Sequence, residues 1–180
     1  VTAPVPEAEP NDTTMNATPS TLGAKHFGDT TSGNVDFWQI DLQSALGTNE
    51  VLVIEVSGGY EFNDWKCELL DNSSTVLKTI ENKEEGCTVL AGGLSMGTHF
   101  LKITGDDSGT MDYSMRVNRK QGILESETND SSGNANSVTY ADWTSDTPIY
   151  GEVPSFSDTD FFSFTLSSAL ASNEVLTINY

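Results

Sequence analysis

The stretch Glu7-Ala8-Glu9-Pro10-Asn11-Asp12 recurs as Glu125-Ser126-Glu127-Thr128-Asn129-Asp130, and the residues downstream of each copy are alike too. The first leads into Asp36-Phe37-Trp38-Gln39-Ile40-Asp41-Leu42 and then Ser44-Ala45-Leu46-Gly47-Thr48-Asn49-Glu50-Val51-Leu52. The second leads into Asp160-Phe161-Phe162-Ser163-Phe164-Thr165-Leu166 and then Ser168-Ala169-Leu170-Ala171-Ser172-Asn173-Glu174-Val175-Leu176. The spacing slips only between blocks, where a loop absorbs extra residues at little entropic cost. A chain of 180 residues built this way is expected to hold two homologous modules, the second ending at a position that matches Val56. The expected boundaries are a proline-containing lead-in over 1–6, a first module over 7–118, a linker over 119–124 and the first half of a second module over 125–180.

Within the first module the apolar pattern has period two. Trp38, Ile40 and Leu42 alternate with Gln39 and Asp41, and Leu52, Ile54 and Val56 alternate with Val53 and Glu55. Further strand-length runs lie at 65–70, 75–80, 87–90, 98–104 and 111–117. In the last two, Leu101, Ile103, Tyr113, Met115 and Val117 are expected to face inward, with Lys102, Ser114 and Arg116 outward. Turn-forming clusters such as Asp71-Asn72-Ser73-Ser74 and Gly105-Asp106-Asp107-Ser108-Gly109 separate the runs, and no helical period of useful length occurs. The pattern predicts an all-β fold, an antiparallel β-sandwich of about eight strands.

The second copy should form an apolar face from Phe162, Phe164, Leu166, Leu176, Ile178 and Tyr180, yet nothing downstream matches Leu101, Ile103, Tyr113 and Val117. Each large side chain gains about 1.5 to 3 kcal/mol on burial, so such a face is expected to be covered. Either the natural chain continues past Tyr180, the favoured expectation, or the half-module pairs with another copy in a domain-swapped homo-oligomer.

Charge excludes some partners. With 27 acidic residues against 8 basic, a net charge of −19 and no cluster of Lys and Arg, the chain is not expected to bind nucleic acid. No apolar run approaches the roughly 20 residues of a bilayer span. No basic, apolar leader opens the chain, so a mature or excised segment is expected. Cys67 and Cys87 flank an expected hairpin, and a pair with no third thiol is the pattern of a disulfide in an oxidising compartment, two buried thiols being the alternative.

The chemistry lies in the repeated acids. In an extended segment Glu7, Glu9 and Asn11 project to one side, with Asp12 able to reach round. Carboxylates so close repel unless a hard cation neutralises them, and calcium takes six to eight oxygens at about 2.3–2.6 Å. The remaining ligands are expected from the loop before each aromatic strand: Asn34 and Asp36 in the first copy, Ser157, Asp158 and Asp160 in the second, with Asp29 in reserve. Sequons at Asn11, Asn16, Asn72 and Asn129 compete for some of these positions. Zinc is not expected, since neither His26 nor His99 has a partner at ligand spacing.

A resemblance rests on these residues. The order Glu-x-Glu-x-Asn-Asp, Gly28, Asn34-Val35-Asp36-Phe37-Trp38-x-Ile40, then Leu94-Ser95-Met96-Gly97-Thr98-His99-Phe100-Leu101-Lys102-Ile103 and Tyr113-x-Met115-x-Val117 resembles the bacterial pre-peptidase C-terminal domain. The collagen-binding domains of clostridial collagenases belong to the same group. The resemblance covers 7–118 as a whole module and 125–180 as its first half. It implies a jelly-roll-like sandwich downstream of the catalytic domain of a secreted peptidase, with calcium where linker meets sandwich. Carried over by position, the ligands are Glu7, Glu9, Asn11 and Asp12, then Glu125, Glu127, Asn129 and Asp130. The paired acids before the aromatic strand are present as Asp158 and Asp160, whereas Asn34 departs from the pattern and is expected to weaken the first site.

No catalyst is expected. Neither histidine has the context of a triad, and G-x-S-x-G, H-E-x-x-H and phosphate-cradling loops are absent from the sequence. The expected function is a non-catalytic, calcium-binding accessory module of a secreted bacterial peptidase. Its expected partners are the peptidase's own upstream catalytic domain and insoluble protein or polysaccharide. One alternative is a carbohydrate-binding or adhesive module using Tyr60, Phe62 and Trp65 as a platform; the other is a calcium-stiffened repeat of a large surface protein.

Overall fold

Alternating apolar side chains become two packed five-stranded sheets in the computed structural model, which describes residues 4–30, 34–58, 65–82, 86–105, 111–138, 148–152, 158–165, 168–169 and 172. No helix occurs among them. The chain divides into two compact units, Val1–Leu124 and Glu125–Tyr180.

The first unit runs through β1 (Val5–Pro6), β2 (Thr18–Pro19), β3 (Lys25–Thr30), β4 (Val35–Leu42), β5 (Glu50–Gly58), β6 (Trp65–Leu70), β7 (Val76–Asn82), β8 (Gly86–Gly92), β9 (Gly97–Thr104), β10 (Met111–Gln121) and β11 (Ile123–Leu124). One sheet has the order β1-β3-β10-β5-β8, the other β2-β4-β9-β6-β7. The two short strands run parallel to their neighbours, β1 on β3 and β2 on β4; the other pairings in these sheets are antiparallel. Between the sheets lie Trp38, Ile40 and Leu42 of β4, Leu52, Ile54 and Val56 of β5, Leu101 and Ile103 of β9, and Tyr113, Met115 and Val117 of β10. The sandwich and its inward residues are as the alternation predicts.

Three features differ from expectation. β3 carries a weak apolar signal because its buried side chains include His26 and Thr30, so its membership of the sheet rests on pairing with β10 rather than on alternation. The lead-in contributes β1. The expected linker is structured: Arg119, Lys120 and Gln121 extend β10 opposite Leu52, Val51 and Glu50, and β11 packs on β5 and β8. Polarity hid that strand. The Arg119 guanidinium bonds the Glu50 carboxylate, with Nε to Oε1 at 2.9 Å, and reaches Ser44 Oγ at 2.8 Å. These bonds hold the Glu50 carboxyl at about 2.

Cys67 of β6 and Cys87 of β8 form a disulfide between the two sheets, with Cα atoms 6.2 Å apart. Trp65 is a correction to the platform reading. It is buried in the core, its ring edge-on to Tyr113 at 5.9 Å, so it presents no face to a ligand. Tyr60 and Phe62 lie outside the described residues, as do Asp106, Asp107, Ser157, Leu166, Leu176, Ile178 and Tyr180.

The second unit contains β12 (Asn136–Val138), β13 (Ile149–Tyr150) and β14 (Phe162–Phe164). β12 runs parallel to β14 with Asn136 opposite Phe162, the counterpart of Thr18 opposite Trp38 in the first unit. Phe162 and Phe164, the two residues of the expected apolar face that are described, keep 37% and 44% of their surface open.

Candidate metal centre

The segment after β1 is stitched to both sheets. The Glu7 N–H donates to Phe27 O at 2.9 Å, continuing the β1–β3 pairing, and the Phe37 N–H donates to Asn11 O at 3.0 Å. Between these anchors Glu7 lies against the backbone of β3, where its Oε1 accepts the Asp29 N–H at 2.6 Å. Only glycine fits beside it: a Cβ on Gly28 would stand 2.5 Å from both Glu7 Oε2 and the Tyr113 hydroxyl. The Tyr113 hydroxyl donates to Glu7 Oε2 at 3.3 Å and accepts from Trp38 Nε1 at 2.6 Å, tying the cluster to the core.

Glu7, Glu9 and Asp36 each offer a carboxylate oxygen, all within 4.8 Å of one another. Asn11 donates its N–H to Glu9 Oε2 at 2.9 Å and its Nδ2 to Glu7 Oε2 at 3.2 Å. Asn34 Nδ2 donates to Glu9 Oε1 at 3.3 Å and to Asp36 Oδ1 at 3.2 Å, so it enters the cluster as an amide donor, where the sequence leads one to expect an oxygen ligand. Asp12 is exposed and makes no hydrogen bond with these residues. Two oxygens are left over. Asn11 Oδ1 and Asp36 Oδ2, both on side chains with no exposed surface, have no hydrogen-bond partner.

The electrostatics agree. Burial pushes the Asp36 carboxyl up to about 8, and the Glu7 charge adds to the effect. Burial also raises Glu7, against hydrogen bonds from the Asp29 backbone and the Asn11 amide that lower it. Burial and the Asp36 and Glu7 charges raise the Tyr113 phenol. Three carboxylates in this setting ionise together only at a large cost unless a cation joins them. An all-oxygen donor set with unpartnered buried oxygens suits a hard divalent ion, and the cluster holds no histidine or thiolate for a softer one.

The same parts recur in the second unit. The Glu125 N–H donates to Tyr150 O at 2.9 Å, and Glu125 Oε1 accepts the Glu152 N–H. A Cβ on Gly151 would stand 2.5 Å from Glu125 Oε1. Asn129 O accepts the Phe161 N–H at 3.1 Å, and Asn129 Nδ2 donates to Glu125 Oε2 at 3.5 Å. Asn136 Nδ2, donating to Ser126 O at 3.2 Å, replaces the Thr18 hydroxyl, which accepts the Ala8 N–H at 3.1 Å. Asn129 Oδ1, Asp158 Oδ2 and Asp160 Oδ1 are among the buried oxygens of this unit without a hydrogen-bond partner. Burial raises Glu125, with Asp160 and Glu127 contributing, and raises Asp158, with Asp160 and Asp130 contributing.

Burial of the Asn11 and Asn129 side chains closes their sequons in the folded protein. Sequence reasoning missed what Gly28, Gly151 and Tyr113 do for the clusters. A signal was present: Phe27-Gly28-Asp29 and Tyr150-Gly151-Glu152 are a second repeat, aromatic-glycine-acid, whose glycines make room for the two glutamates.

No protein-family model and no curated protein matches the chain. Among solved structures, the pre-peptidase C-terminal domain of collagenase from Bacillus anthracis is similar at 17% identity and a TM-score of 0.44, over 62% of this chain and 99% of that one. PliG from Aeromonas hydrophila, a periplasmic inhibitor of g-type lysozyme, is similar at 8% identity and a TM-score of 0.45, over 66% and 100%. The Yersinia pseudotuberculosis-derived mitogen is similar at 15% identity and a TM-score of 0.41, over 58% and 90%.

Proposed function

We propose that each cluster holds calcium and that the chain is a non-catalytic accessory module of a secreted bacterial peptidase, serving to tether or space the catalytic domain at insoluble substrate. The observation that carries the calcium reading is the twofold construction: an asparagine with no exposed surface, its Oδ1 unpartnered, stands beside a glutamate that is half-buried in the first unit and buried in the second, with further acids in both. A solvated acidic face would not repeat such an arrangement. The peptidase role rests on the sequence resemblance, and the disulfide supports an oxidising, extracellular setting. His26 and His99 are both buried, which leaves neither placed to act on an external substrate. No helix among the described residues is long and apolar enough to cross a membrane.

Calcium should hold the 7–11 segment to the sandwich, so chelation should speed proteolysis between Pro6 and Thr18, read by mass spectrometry of the fragments. Equal cleavage with and without chelator would remove the calcium reading. Pelleting with insoluble collagen, chitin and cellulose, with and without calcium, tests the tethering role, and failure to pellet with any of them would remove it.

Gly28→Ala should separate the cluster from the fold. The new Cβ displaces Glu7 or the Tyr113 ring, an overpacking cost of about 1–3 kcal/mol. The variant should melt cooperatively but gain much less from calcium than the parent. A calcium-induced shift equal to the parent's would show that Glu7 does not depend on this glycine.

A further inference from the structure

The outward face of β3 and β10 carries charge in an order the rest of the first unit does not. Elsewhere among the described residues, Lys66 meets Glu68 and Glu81, Lys102 meets Glu68, and Arg119 meets Glu50. Lys25 of β3 and Arg116 of β10 instead stand opposite each other in register, both exposed and neither in an ion pair. Further along the same two strands Asp29 stands opposite Asp112, again exposed and in no ion pair. Like charges directly opposite across a ladder destabilise it, so this face is ordered against the stability of the isolated unit. Glu55 of β5 is the opposite neighbour of Arg116 but makes no ion pair with it. Midway between bases and acids lie Phe27 and Ser114, with exposed Pro6 of β1 beside Phe27. The Phe27 ring is 41% exposed and carries the Lys25 ammonium 4.9 Å from its centre.

We propose that this face is where two copies of the chain meet, through a twofold axis that runs along the Pro6–Phe27–Ser114 row. Residues two apart on a strand share a face and lie about 7 Å apart, so the acids and the bases are equally far from that row on either side. A twofold axis in the plane of contact therefore lays Asp29 and Asp112 of one copy over Lys25 and Arg116 of the other, twice, and places ring on ring at Phe27. Sheets stacked face to face are about 10 Å apart, which these side chains span from the two sides. Charge complementarity selects a second copy as the occupant, because an ordinary acidic partner would meet Asp29 and Asp112 as well as the bases. The net charge of −19 on each chain opposes association. That repulsion is screened beyond about 8 Å at physiological salt, whereas the contacts across the axis are shorter, so the dimer is weak and reversible.

The test is sedimentation equilibrium of the full chain in about 0.15 M salt. The parent should show a monomer–dimer equilibrium. Arg116→Glu sets acid against acid at both symmetry-related contacts, and Asp112→Arg sets base against base; each should weaken the dimer by about tenfold or more. Both substitutions put an opposite charge across the ladder from Lys25 or Asp29, so both variants should melt cooperatively. Mixed in equal amounts, the two should form a heterodimer of about the parent's affinity, since each supplies the charges the other lacks. A parent that stays monomeric up to about 1 mM, a dimer that both variants leave intact, or a mixture that associates no better than its components would overturn the proposal.

Discussion

In chelator the protein should lose stability steadily as the pH rises from 5 to 8, and in millimolar calcium most of that loss should be offset. The Asp36 carboxyl, buried beside Glu7, is pushed up from the usual carboxylate range to about 8. A raised folded-state value means that the native protein holds a proton the unfolded chain has released. The resulting stability is fully present below about pH 4 and fades as the pH climbs through 8, at up to about 1.4 kcal/mol per unit for one group. Glu7 shifts in the same direction. His26 works oppositely: burial lowers it, so its contribution is present above its ordinary value and lost on acidification. Glu50, held at about 2, is ionised throughout and contributes no slope. On the proposed reading calcium takes the place of the proton. Its binding requires the ionised carboxylates, so its stabilisation should be small at pH 5 and reach about 2.7 kcal/mol at pH 8 when calcium stands at a hundred times Kd. In a unit of this size that is about 10 °C in Tm. Thermal melts across pH in chelator and in calcium measure both slopes, and Asp36→Asn should flatten the chelator curve. A chelator curve that rises from pH 5 to 8 in the parent would mean that Asp36 is not the buried acid its surroundings require.

Much of this arrangement is legible in the chain because duplication and alternation are redundant signals. Two copies of Glu-x-Glu-x-Asn-Asp fix a register that one copy leaves ambiguous, and Glu7, Glu9, Asn11 and Asp36 do converge. Alternation finds a strand when one face is apolar and the other polar, as in β4 and β10. It fails for β3, which buries polar side chains, and for the end of β10, where Arg119 meets Glu50 on a strand that looks like a linker. Period two does not settle which aromatic lies inside: Trp65, at the start of a strand, suits the core better than a binding platform, and its contact with Tyr113 places it there. At the acidic cluster, sequence marks donor atoms but not their direction. Asn34 can offer an oxygen or an amide hydrogen, and only its position between Glu9 and Asp36 decides for the amide.

Reduction of the Cys67–Cys87 bond should lower the melting temperature of the first unit by about 10 °C. The bond spans 20 residues and joins β6 of one sheet to β8 of the other. Opening a loop of that length returns about 3 kcal/mol of conformational freedom to the unfolded chain in the chain-entropy model. Within the native state the strands stay in place through their own ladders, β6 with β9 and β8 with β5, so the loss falls mainly on the unfolded side. Both sulfurs are buried, so reductant should act slowly at room temperature and rapidly once the sandwich opens. Cys67→Ala with Cys87→Ala should melt near the reduced parent, slightly lower for the volume lost between the sheets, and should be indifferent to reductant. Melts with and without reductant, on the parent and on the double variant, distinguish the cross-link from the packing of its sulfurs. If the reduced parent melts within about 2 °C of the oxidised form, the two sheets are held by their apolar contacts alone and the bond contributes little to stability.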